Sequence, residues 1–143
     1  MSTLSRALEI ALSAHKGQKD KAGSDYIFHP LRVMAMGNTE EEKICGLLHD
    51  VLEDSDTTLE HLKKEGFSDE VLNALQCLTK ENPDEDYDKF FDRVMQNPLA
   101  VKVKINDLLD NMNITRFSEL SEKDLKRLNK YLKAYHKLKS CKL

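Results

Sequence analysis

His49-Asp50 sits inside an apolar run, between Leu47-Leu48 and Val51-Leu52, and Glu53-Asp54 follows directly. Helical spacing would put His49 and Glu53 on one face and Asp50 and Asp54 on the next. Ionisable groups in a central helix cost free energy unless they are paired, hydrated or bound to metal. The pattern recurs at Asp107, Asp110 and Asn111, set among Ile105, Leu108, Leu109 and Met112. Two apolar helices that both bring acids to one interior imply a cation between them. Imidazole with carboxylate and no thiolate suits a first-row divalent ion such as manganese, iron or zinc, whereas calcium prefers oxygen alone. Such an ion acidifies a coordinated water and polarises a phosphoryl oxygen, which is the chemistry of phosphate ester hydrolysis.

The remaining histidines carry less signal. His15 lies on an apolar stripe and reads as a core or supporting histidine. His29 taken alone reads as a loop or capping residue, and His61 and His136 as exposed. The acid run Asp84 to Asp88 reads as a solvated helix start.

Elements that could position these groups are helical. The stripe Leu4, Ala7, Leu8, Ala11, Leu12 predicts a first helix, capped by Ser2 or Thr3. A Gly-containing loop from Gly17 should end at His29-Pro30, with Pro30 opening a short helix to about Met36. Thr39 and Glu42 form a capping-box pattern before a helix that should continue through Leu52. Thr58 to Glu65 should stop at Gly66, Ser68 should cap the next helix, and Tyr87 to Met95 should end at Asn97-Pro98. Leu99 to about Ile114 and Ser121 to about Lys139 complete the set, the last with Leu125, Leu128, Tyr131, Leu132, Tyr135 and Leu138 inward.

The chain has 143 residues, 40% hydrophobic and 33% charged, with a formal net charge of −3. This suits one all-α domain over residues 1–143 and gives no sign of a nucleic-acid polymer as partner. No stretch approaches a membrane span, and the first residues lack a secretory apolar region. The three cysteines, Cys45, Cys77 and Cys141, are scattered, which excludes a disulfide framework and a thiolate metal site. A cytoplasmic protein without a membrane partner is expected; oligomeric state is open at this level.

Read in order, Ala14-His15-Lys16-Gly17-Gln18-Lys19, Tyr26-Ile27-Phe28-His29-Pro30, Leu47-Leu48-His49-Asp50-Val51-Leu52-Glu53-Asp54, Val103-Lys104-Ile105-Asn106-Asp107 and Asn111-Met112 resemble the HD-domain phosphohydrolases of the RelA/SpoT type. The resemblance implies an all-α HD-domain helical bundle that removes the 3′-pyrophosphate from guanosine 3′-diphosphate 5′-di(tri)phosphate, (p)ppGpp. It implies that His29, His49, Asp50 and Asp107 hold one ion, usually Mn²⁺ in this family. Glu53 and Asp54 would handle the attacking water, and Lys21 and Asn111 would contact the nucleotide.

The chain departs from the family's pattern at Asp20 and Ala22, and at Leu108, Asp110, Asn113 and Ile114, where the family carries cationic or hydroxyl side chains. These changes remove cations near a polyanionic substrate and add acids. A less charged nucleotide or phosphate ester is therefore the alternative substrate, and a non-catalytic nucleotide sensor the alternative of another class.

Overall fold

The computed structural model describes residues 2–141. Its elements are α1 (Leu4–Ala14), α2 (Phe28–Met36), α3 (Glu40–Leu48), α4 (Val51–Asp54), α5 (Leu59–Glu65), α6 (Asp69–Leu78), α7 (Tyr87–Met95), α8 (Pro98–Asn111), a 3₁₀ turn (Ile114–Arg116) and α9 (Glu122–Lys139). The architecture is all-α, as expected. The extended pairing among the described residues is one antiparallel bridge, Lys19 with Asp25, inside the 17–27 loop. No described helix is long and apolar enough to cross a membrane.

Local chemistry sets most boundaries. The side chains of Thr3, Thr39, Thr58, Ser68, Asn97 and Ser121 each accept a backbone N–H at the start of the helix that follows. Gly66 ends α5 with φ +96°, a left-handed value that costs other residues strain. Val101 and Val103, which would also suit a strand, lie in α8, where their spacing with Ala100 and Leu108 serves a helical core face.

α3 is the central helix. Ile44, Cys45, Leu47 and Leu48 are buried on several sides, against α1, α2, α6 and α8. α2 comes so near that a Cβ at Gly46 would stand 3.0 Å from the Met34 backbone nitrogen. A side chain there would press on the α2 backbone, so glycine lets the C-terminal half of α2 pack against the C-terminal part of α3.

Three expectations need correction. The α3 helix does not run through Leu52: it stops at Leu48, His49-Asp50 forms a turn, and α4 restarts at Val51. His29 is not a loop residue; it lies in the first turn of α2. Leu12, Leu125 and Leu132 face outward, the last two 50% and 46% exposed. α9 packs chiefly on α8, through Ala134 and Leu138, so its apolar stripe is wider than its contact face.

The 79–85 loop is tied to α7 through Arg93, which pairs closely with Glu85 and, at 3.8 Å, with Glu81. Arg93 donates to both Glu85 carboxylate oxygens, at 2.6 and 2.9 Å, and to the Thr79 carbonyl at 2.9 Å. The hydrogen bonds from Arg93 hold the Glu85 carboxyl down to about 2 from an ordinary 4.5. A depressed carboxyl stabilises the fold fully above its unfolded pKa and loses that contribution as pH falls through the folded value. The unfolding midpoint should therefore drop between about pH 4.5 and pH 2, and drop less in Arg93→Met. Equal pH slopes for the two proteins would show that this pair contributes nothing.

Candidate metal centre

Three chain segments deliver the predicted ligands to one place. α2 brings His29, the turn after α3 brings His49 and Asp50, and α8 brings Asp107. His29 and His49 are each 4% exposed, and Asp107 is 5% exposed. One donor atom from each of His29, His49 and Asp50 lies within 4.8 Å of the others. Asp107 Oδ1 stands 2.9 Å from His29 Nε2 and 3.4 Å from His49 Nε2.

The helix break explains how adjacent residues serve one centre. His49 Nδ1 donates to the Gly46 carbonyl at 2.6 Å, which fixes its proton there and points Nε2 inward. Asp50 turns to accept the Tyr26 hydroxyl at 2.5 Å. His49 Nε2 is fully buried without a hydrogen bond, although Asp50 Oδ2 is only 3.0 Å away. A buried ring nitrogen that faces two carboxylates and bonds neither has the geometry of ligands converging on an ion rather than on each other. The residues present therefore fit a divalent cation.

The electrostatics agree. Burial opposes charge on His29 and His49, but the neighbouring carboxylates outweigh it and raise both, His49 well above its usual value. Burial likewise opposes ionisation of Asp50, and His49 more than offsets it, bringing Asp50 to about 2. Asp107 lies well below the carboxylate range, because Lys104 and His49 overcome its burial. Lys104 Nζ donates to Asp107 Oδ2 at 2.8 Å and Asn111 Nδ2 to Oδ1 at 3.1 Å. Positive charge is what this pocket of acids is built to take.

Glu53 and Asp54 stand at the mouth, near solvent. Partial burial raises both above their ordinary values, which favours proton traffic. Glu53 Oε1 accepts the Lys80 backbone N–H at 2.7 Å. Asp54 Oδ2 accepts Gln18 Nε2 at 3.2 Å, and Gln18 Oε1 in turn accepts His15 Nδ1 at 2.9 Å. His15 thus supports Asp54 through Gln18, a role the sequence motif suggested only as "supporting".

No family model matches the chain. A guanosine-3′,5′-bis(diphosphate) 3′-pyrophosphohydrolase of Aquifex aeolicus is 37% identical over 76% of this chain and 17% of its own length. A GTP pyrophosphokinase of Streptomyces coelicolor is 31% identical over 92% of this chain, again 17% of its own length. The chain thus spans about one sixth of these curated relatives. A solved structure described as a metazoan ortholog of SpoT that hydrolyses ppGpp superposes with a TM-score of 0.79 over 99% of this chain and 88% of that one, at 20% identity. At that identity the likeness shows the fold.

The chain belongs to the RelA/SpoT family, as an HD-type domain.

Two hollows meet at the candidate metal centre of this RelA/SpoT-type domain, sharing Tyr26, Asn111 and Tyr131. One, of about 240 Å³, holds His49, Asp50, Glu53 and Asp107 and is rimmed by Lys80, Lys104 and Lys130. The other, of about 310 Å³, runs from His29 to the start of α9 and includes Lys21, Arg32, Arg116 and Arg127. Lys21 and Asn111 therefore both line a cleft beside the predicted ligands.

The cleft also corrects the charge argument made from the sequence. Asp110 does not face substrate: it is buried and tied to His29, Arg32 and Arg116. Asp20 Oδ1 accepts the backbone N–H groups of Ala22 and Ser24, closing the loop that carries Lys21. Arg32, Arg116 and Arg127 supply cations from positions outside the family motifs, so sequence matching alone could not find them.

Proposed function

We propose that this RelA/SpoT-type domain is a metal-dependent 3′-pyrophosphohydrolase of (p)ppGpp, with His29, His49, Asp50 and Asp107 as the ligands of one Mn²⁺. The observation that carries the reading is the convergence of two buried histidines and two carboxylates around the unbonded His49 Nε2. The names of the curated relatives favour the guanosine substrate. The cationic linings favour a nucleotide carrying phosphate at both ends. A small nucleotide made and consumed in the cytoplasm suits a chain whose described cysteines are all free.

When bound, the ion supplies Lewis-acid polarisation of the 3′-phosphoryl group and acidity to water. The chain's own residues do the rest. Glu53 and Asp54 take the water's proton at the mouth, where their raised affinity for it brings them nearer the working range. Gln18 holds Asp54, and the Lys80 backbone holds Glu53, so each carboxylate keeps one oxygen engaged and its orientation fixed. Lys80 and Lys130 line the hollow that holds Glu53 and would attract phosphate charge there, and Lys21 and Asn111 line the neighbouring cleft for the nucleoside.

The test is a nucleotide panel with Mn²⁺: ppGpp, pppGpp, and nucleoside mono-, di- and triphosphates, with pyrophosphate and phosphate release followed separately. Pyrophosphate from ppGpp at the highest kcat/KM is the expected result. A better rate with a nucleoside monophosphate would move the assignment to a less charged ester. Tight nucleotide binding without turnover under any divalent metal would make the domain a sensor.

A further inference from the structure

We infer that Asp110 is a positioning residue for His29, setting which ring nitrogen is free for the ion; this rests on the metal-site reading above. Asp110 Oδ2 accepts His29 Nδ1 at 2.6 Å, and both residues are buried. A carboxylate only accepts, so Nδ1 keeps its proton against Asp110, and Nε2, which faces the proposed ligand Asp107 at 2.9 Å, is the nitrogen that gives up its proton to an ion. The negative charge on the far side of the ring also makes Nε2 a stronger donor to metal.

Asp110 is itself held firmly. Its Oδ1 accepts Arg32 Nε at 2.7 Å and Arg116 Nη1 at 3.4 Å, and its backbone carbonyl accepts Arg116 Nη2 at 3.3 Å. The anchors come from α2 and from the 3₁₀ turn, so the carboxylate is clamped from two directions. It sits behind His29, on the opposite edge of the ring from Asp107. A carboxylate so placed and neutralised does not compete for the ion; it aims the ring. Without it, no partner for Nδ1 would remain among the described residues, and a turn of the ring could present the wrong nitrogen to the ligand cluster.

The experiment compares wild type with Asp110→Asn, which keeps the side chain's size but offers one acceptor where His29 and Arg32 need two. Mn²⁺ affinity is read from the electron paramagnetic resonance signal of the free ion, without nucleotide, and folding of the metal-free proteins from circular dichroism. We expect a dissociation constant about 10- to 100-fold weaker in the folded variant. A constant within twofold of wild type would overturn the role of Asp110 alone. Absence of Mn²⁺ binding by wild type would overturn the metal reading and this inference with it. A second measurement needs no variant. In wild type labelled with ¹⁵N-histidine and loaded with diamagnetic Zn²⁺, which takes the same ligand types, His29 should show a protonated Nδ1 and a zinc-shifted Nε2. A bare Nδ1 with a protonated Nε2 would overturn the assignment even if Asp110→Asn failed to fold.

Discussion

Asp107→Ala is expected to lower kcat/KM for the preferred nucleotide by about 10³- to 10⁵-fold, as loss of several kcal/mol of metal-borne charge stabilisation implies. Asp107 is the residue on which the cluster's contacts converge: His29 Nε2, His49 Nε2, Lys104 Nζ and Asn111 Nδ2 all lie within 3.4 Å of its carboxylate. Removing it takes away a negative ligand and leaves the Lys104 charge without its partner. Asp107→Asn is the companion, since it keeps an acceptor for Lys104 and preserves packing. Both variants should lose activity, while the asparagine protein should keep a wild-type circular dichroism spectrum. Turnover within tenfold of wild type in the folded asparagine variant would remove Asp107 from the reaction.

Phe91→Ala should cost about 3–5 kcal/mol of stability, the usual range for deleting a buried aromatic ring. Phe91 is 1% exposed and heads the fully buried side chains by volume among the described residues. Its ring tilts against Tyr87 at 5.5 Å between centroids, and Lys137 lies over its face at 5.3 Å. α7 is bordered by α6 and α8, neither of which can slide inward to fill the space without shifting other buried residues. Urea unfolding of the metal-free protein measures the change. The molecules that remain folded should bind Mn²⁺ as wild type does, because Phe91 lines neither hollow beside the ligands. A loss below about 1 kcal/mol would mean that α7 packs differently.

Much of this fold is written locally. A hydroxyl or amide before a helix, as at Thr39, Ser68 and Asn97, marks its start because the donor it satisfies lies two or three residues on. The break at His49-Asp50 is not written that way. Leu-Leu-His-Asp-Val-Leu is a sound helical sequence, and the turn depends on tertiary partners, above all Tyr26 on another segment. The site was legible to the extent that paired acids in apolar helices demand a counter-charge. The supporting residues were not. Asp110 read as an acid added beside substrate, since its partner Arg32 is 78 residues away. Gln18 stood in a quoted motif, yet its link to Asp54 spans 36 residues. Leu125 and Leu132 carried a regular apolar period, but period alone cannot tell how broad a face the neighbouring helix will cover.

The close crossing at Gly46 has an evolutionary corollary. Because α2 lies against the backbone of α3 there, a larger residue at position 46 would push apart the helix that carries His29 and the helix that His49 follows. Drift in side chains elsewhere in the core can alter how tightly the bundle coheres, yet it leaves this backbone-to-backbone contact in place. Selection could thus retune the nucleotide cleft through Lys21 and Arg127, which line it without touching Asp110, while the reactive centre kept its dimensions.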